Sequence, residues 1–225
     1  MSLSRRHFLT TLAAGSATAL TGCGGGDDPP PTRTMWLLNL NPEATIADVI
    51  FGNTTVATGL GFPALTAPAI VEYGTYDFSV RNRGVIPSRT STFPNNVVDG
   101  TSSPLRVFYR DATVFPTTTV LGFAPVGVVN YFDAPFGLKV DLLDEASNQS
   151  ELWTLQFEDA VPQVLTGSTC QLQLRNATTN QLLYNSNPGQ LRDTAILIFP
   201  ADAASGNIAV AGLTYTSTMA RLTLW

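Results

Sequence analysis

LNLNPEATIADVIFGN, residues 38–53, is the stretch that decides the fold, and VNYFDAPFGLKVDLLDE, residues 129–145, repeats it in looser form. Each joins a short apolar run to a turn built from an acid and a proline. A strand carrying one outward aspartate then follows, with Asp48 in the first copy and Asp141 in the second. Asp48 alternates with Val49 and Phe51, so one face of that strand is apolar and the other polar, the period-2 signature of a β-strand packed on one side. Gly52-Asn53 supplies a pair tolerant of positive φ, as a two-residue hairpin turn needs.

Outward from these stretches, short apolar or alternating runs are broken by Gly, Pro, Asn and Asp every eight to twelve residues or so, the pattern of an all-β sandwich. Strands are expected at Met35–Leu40, Ala47–Phe51, Thr54–Thr58, Ala69–Tyr73, Thr75–Asn82, Leu105–Arg110 and Thr118–Phe123. Ala195–Phe199 is apolar on both faces and reads as a central strand, and Met219–Trp225 closes the chain as another. No stretch carries a helical stripe. Leu142–Glu151 has helix formers, but Asp, Ser and Asn interrupt it and it reads as a loop. Pro87–Pro104 reads as long surface connections around one short strand.

The second half keeps the order of the first. Gly74 with TYDFSVRN matches Gly167 with STCQLQLRN, Arg81-Asn82 matches Arg175-Asn176, and Pro68 matches Pro162. VFYRDA at Val107–Ala112 matches IFPADA at Ile198–Ala203. Each match is short, but their common order and similar spacing indicate a duplication.

The run Asn39 to Val49, with Gly74-Thr75-Tyr76 further on, resembles the domain of unknown function 4397 family. Its opening pattern is histidine-alanine-serine-proline-aspartate-alanine-proline, then valine-aspartate-valine. Asn39 stands for the histidine and Glu43 for the aspartate. In the second copy Asn130 takes the histidine position, Asp133-Ala134-Pro135 keeps the acid-alanine-proline, and Asp141 is the strand aspartate after a small insertion. The resemblance implies an exported, often tandem, surface-attached β-sandwich with no established activity.

The N-terminus carries its own signals. Ser4-Arg5-Arg6-His7-Phe8-Leu9 resembles a twin-arginine export signal, with Arg5, Arg6, Phe8 and Leu9 as its key residues. Leu20-Thr21-Gly22-Cys23 looks like a lipobox, which makes Cys23 the lipidated first residue of the mature chain. Two or three acyl chains, at about 0.8 kcal/mol per buried methylene, hold a protein on a membrane without a spanning helix. Gly24 to Pro31 reads as a flexible spacer. The expected organisation is a signal peptide over 1–22, a lipidated tether over 23–34, and two tandem Ig-like or transthyretin-like antiparallel sandwiches over 35–125 and 126–225. Gly24 rather than Asp after the cysteine points to the outer membrane over the inner one, at the bacterial cell envelope.

Composition excludes several chemistries. Of 225 residues 44% are hydrophobic and 13% charged, so a large core is available. Removing Arg5 and Arg6 from the 12 basic residues leaves ten against 17 acidic ones, a balance that repels nucleic acid. The single histidine, His7, leaves with the leader, which removes Ser-His-Asp and Cys-His catalysis from the mature protein. With Cys23 lipidated, Cys170 is a lone thiol on a leucine face, so no disulfide and no Cys/His zinc site is available and no cofactor is expected. Lys139 is the only lysine and sits in no Ser-x-x-Lys pattern. Carboxylates remain: Asp48 and Asp141, Asp144-Glu145, and Glu158-Asp159. They read as solvated turn and strand-edge acids, and no catalytic residue is assigned. Trp36, Trp153 and Trp225 could stack on sugars, but Trp36 shares a core face with Leu38 and Leu40, and core or strand-end packing is the favoured reading of the three. The functional expectation is a non-enzymatic envelope lipoprotein with a binding or structural role, its partner another envelope protein or a surface glycan. A carbohydrate-binding or carboxylate-dependent glycan-acting protein is the alternative. The opening stretch itself reads as turn and hairpin chemistry, not as a site.

Overall fold

The computed structural model describes residues 29–101, 105–109, 127–144, 149–161, 170–187, 195–215 and 219–224. Among them are seventeen strands and no helix. The protein is an all-β sandwich.

The first copy contains β1 (Thr32–Asn39), β2 (Ile46–Phe51), β3 (Thr54–Gly61), β4 (Ala64–Leu65), β5 (Ala69–Glu72), β6 (Gly74–Asn82), β7 (Arg89–Val98) and β8 (Leu105–Phe108). Its outer sheet is antiparallel, in the order β3-β2-β6-β7. Its inner sheet centres on β1. β5 pairs antiparallel with the first half of β1 and β4 with the second half, on one edge, while β8 runs parallel along the other. The hairpin between β2 and β3 forms at Gly52-Asn53, with Phe51 opposite Thr54, and of the pair Gly52 takes the positive φ, +55°.

The second copy contains β9 (Val128–Asn130), β10 (Leu138–Asp144), β11 (Gln149–Leu155), β12 (Ala160–Val161), β13 (Cys170–Asn176), β14 (Leu182–Asn185), β15 (Ala195–Pro200), β16 (Ile208–Tyr215) and β17 (Ala220–Leu224). The outer sheet runs β11-β10-β13-β14 and the inner one β12-β9-β15-β16-β17, with β9 parallel to β15.

Alternation along the central strands explains how the four sheets stack. On β1, Met35 and Leu37 join the core of the first sandwich with Val49, Phe51, Phe78 and Phe93. Trp36 and Leu38 point the other way, into a core that also holds Val107, Val129, Leu197, Phe199 and Leu213. On β15, Ile196 and Ile198 turn to the second sandwich's core, beside Leu142, Cys170 and Leu172. The two inner sheets therefore face each other across a third, shared core, and the layers run outer, inner, inner, outer. This is why Ala195–Phe199 reads as apolar on both faces: β15 is buried on both, as are β9 and the second half of β1.

The registers define the repeat more sharply than residue matching does. Ala47 lies opposite Asn82 and Leu138 opposite Asn176, each eight positions after Asn39 or Asn130. No insertion separates the copies here. Asp48 corresponds to Lys139, and Asp141 to Ile50; the expected Asp48–Asp141 equivalence is two residues out. Likewise Leu38 lies beside Val107 and Val129 beside Leu197. Val107 therefore corresponds to Leu197, one position from the sequence match with Ile198. A one-residue slip exchanges the faces of a strand, and strands apolar on both faces give no pattern to set the phase.

Three further expectations are corrected. Thr32–Thr34 belong to β1, paired with Ile70–Glu72, and are not tether. Leu142–Asp144 and Gln149–Glu151 form a strand hairpin and not a loop. Pro87–Pro104 holds a ten-residue edge strand, β7, whose inward Ser91, Phe93 and Val98 were masked by polar neighbours and by Pro94, a residue an edge strand tolerates. Thr118–Phe123, Pro162, Gly167 and Trp225, with the leader residues Arg5, Arg6, Phe8, Leu9 and Cys23, lie outside the described residues.

Candidate cleft between the two opening turns

Parallel pairing within each inner sheet brings four strand ends to one pole. Asn41–Glu43 follow β1, Tyr109 follows β8, Tyr131 and Asp133 follow β9, and Pro200–Ala203 end and follow β15. Together with Phe157, from the turn between β11 and β12, they line a cleft of about 420 Å³. That lies within the roughly 300–1,000 Å³ range of small-molecule sites.

Buried asparagines build its walls. The Asn39 carboxamide donates to the Ala44 and Gly61 carbonyls at 2.7 and 2.9 Å and accepts from the Asn41 amide at 3.0 Å. Asn41 in turn accepts the Glu43 amide, and Asn82 donates to the Glu43 carbonyl at 2.8 Å. Asn82 also accepts the Gly84 amide. Gly84 lies so close to Thr45 Oγ1 that a Cβ there would collide with it. The Glu43 turn is thus fixed on three sides. Asn130 does the same work in the second copy, donating to the Gln156 carbonyl at 2.8 Å and accepting from the Phe132 amide at 2.9 Å. Its own backbone is bonded to Glu158 and Asp159, which sets the turn that presents Phe157. Both asparagines are 1% exposed.

The floor is aromatic. Tyr109 and Tyr131 pack with ring centroids 4.6 Å apart, and Phe157 meets Tyr109 edge to face at 5.9 Å. Tyr109 donates its hydroxyl proton to Glu158 Oε1 at 2.9 Å. The rim is acidic: Glu43, Asp133 and Asp202 are exposed carboxylates from three different elements, and no Lys or Arg lines the cleft.

Asp202 accepts the amides of Ala204 and Ser205 and the Ser205 hydroxyl. These donors hold its carboxyl below the ordinary value of 3.8, the Ser205 hydroxyl contributing most. A depressed folded-state pKa gives the turn stability that is present above the unfolded value and lost as pH falls through the folded one. Acidification below about pH 4 is therefore expected to lower the protection of the Ala204 and Ser205 amides, measured against their intrinsic exchange rates at each pH, before the strands respond. Unchanged protection of these amides down to the acid unfolding point would contradict it. A carboxyl kept ionised in this way is also ill suited to act as a general acid.

The other sequence candidates are dispersed. Asp48 is not a solvated strand acid: it is 7% exposed, accepts the Gly59 amide at 3.0 Å and pairs with Arg83 at 3.1 Å. It faces away from Val49 and Phe51, as alternation requires, but the β3 edge and Arg83 cover it. Asp144 is buried as well, at 6%. Asp141 is half-buried on the outer sheet. Glu158 and Asp159 are turn residues, and Asp159 accepts the Gln156 amide at 2.7 Å. Cys170 is a buried thiol, in no disulfide, among leucines. Trp36 is in the shared core and Trp153 packs against the second sandwich's core. Among the described residues no three His, Cys, Asp or Glu side chains converge as a metal site would.

The sequence singled out Glu43 and Asp133 only as parts of the two opening stretches. It gave no reason to bring them together, and Tyr109, Tyr131, Phe157 and Asp202 were not candidates at all. For Glu43, Tyr131, Asp133 and Asp202 the available signal was their position shortly after β1, β9 or β15; Tyr109 and Phe157 follow the edge strands β8 and β11 and carried none. No protein-family model and no curated protein matches the chain.

Proposed function

We propose that the protein is a non-enzymatic, lipid-anchored bacterial envelope protein of the domain of unknown function 4397 type, and that the cleft between its two opening turns is its binding site. One observation carries the reading: both copies contribute the same kind of turn, held by an equivalent buried asparagine, to a single concave site at the ends of their central strands. Rigid sheets presenting ligand contacts on clustered loops is a common division of labour in sandwiches. The leader residues and Cys23 support export and anchoring at the outer membrane, with no nucleic-acid partner.

Replacing Cys23 by alanine is expected to move the protein from the membrane to the soluble fraction of the cell envelope; continued membrane partitioning would remove the anchor from the proposal. The cleft half of the reading is tested by ligand binding to wild-type and cleft variants, as set out below.

A second reading, a glycan-binding or glycan-acting protein, is favoured by the same cleft's Phe157 and tyrosine rings beside carboxylates, since sugars pack their C–H faces on aromatic rings. A glycan-cleaving pair would need one carboxyl with a raised pKa. Asp202 is shifted the other way.

A further inference from the structure

We propose that the ligand of this cleft is cationic and extended, bearing two or more ammonium groups as a polyamine or a lysine-containing polypeptide segment does. The inference rests on reading the cleft as a binding site and adds the chemistry of what enters it.

Three independent features of the cavity converge on that class. First, its charged lining has one sign: Glu43, Asp133 and Asp202 with no lysine or arginine among the lining residues. In a chain with formal net charge -5, this concavity repels anions and concentrates cations. Second, the partly exposed ring of Phe157 lies in the same lining, edge to face with Tyr109 of the buried Tyr109–Tyr131 pair. Aromatic rings beside carboxylates are the combination that recognises organic ammonium groups, since the ring face attracts the cation while the acids neutralise it. Third, the three carboxylates come from turns of separate elements and, among the described residues, do not group as the ligands of a metal ion would. A point cation would engage one of them. A chain with spaced ammonium groups engages several, and its methylenes can lie along Pro42, Pro200 and Phe157.

Calorimetric titration of the full mature protein at low ionic strength tests this, with spermidine, a tetralysine peptide and a neutral N-acetylglucosamine tetrasaccharide as probes. Spermidine and tetralysine are expected to bind. The double variant Glu43→Gln/Asp133→Asn is expected to weaken them by about tenfold, as is raising the salt to roughly 0.5 M. Asp77→Asn, which removes an exposed charge on the outer sheet of the first sandwich, is expected to change neither. The tighter of the two cationic probes identifies the source, free polyamine or polypeptide. Cation binding that survives the double variant would place it elsewhere and overturn the inference. Binding of the tetrasaccharide alone would overturn the cationic class while leaving the cleft as a ligand site. Binding of none of the three would overturn both.

Discussion

Replacing Trp36 by alanine is expected to cost about 3–5 kcal/mol of stability and to destabilise both halves of the chain at once. Trp36 is 2% exposed and sits in the core that the two inner sheets share, among Leu105, Val129, Leu197 and Leu213. Its loss leaves a void that strands locked by hydrogen bonds on both edges cannot close. The variant carries its own reporter. The remaining tryptophans, Trp153 and Trp225, both belong to the second copy. In a urea titration followed by their fluorescence, a mutation in the first copy should move the midpoint reported from the second. A midpoint that stays in place would mean that the halves unfold independently and that the shared core contributes little. Leu152→Ala, at a side chain 58% exposed on β11, is the control, with an expected change within about 0.5 kcal/mol.

Asn39→Ala is expected to be the second most damaging of the changes considered, at about 2–4 kcal/mol. Removing the carboxamide takes away the buried acceptor of the Asn41 amide and the buried donor to the Ala44 carbonyl, together with a part-buried bond to the Gly61 carbonyl. Each buried polar group left unmatched costs about 1–3 kcal/mol, and the losses here overlap because one side chain serves all three. Asn39→Asp separates the two halves of the role. It keeps an acceptor for the Asn41 amide but turns a carboxylate toward two carbonyl oxygens, so it should be no better than alanine. If Asn39→Asp proves near wild type in urea unfolding, the donor side of the residue is dispensable and the account of the turn is wrong. Loss of the Glu43 turn should also weaken ligand binding in the cleft, which separates this residue from one that serves stability alone.

The sequence made the strands legible where one face is dry and the other wet. In β6, Phe78 and Val80 alternate with Asp77, Ser79 and Arg81, and the structure keeps that division. Asn39 and Asn130, and likewise Asn82 and Asn176, kept their identity at corresponding positions of the two halves. Phase was lost where alternation vanishes. Val107, Phe108 and Tyr109 are all apolar because both faces are buried, so matching residue types could not say which points where. The shared core escaped for the same reason: a doubly buried strand is evident in the sequence, but its second neighbour is not. The cleft was least legible. Its members are separated by up to about 160 positions and meet only because β1 runs parallel to β8 and β9 to β15. Parallel pairing leaves no hairpin signal in a sequence.

The course of β1 has a mechanical consequence. Strand β1 starts at Thr32 and reaches the cleft pole at Asn39, so its eight residues, about 26 Å of extended backbone, separate the strand's start from the cleft. A load applied to a ligand in the cleft, with the protein held by its N-terminus, would pull β1 lengthwise. Its hydrogen bonds to β5, β4 and β8 would then be sheared together rather than peeled one at a time. Under such a load β1 is held by all three of its neighbours at once.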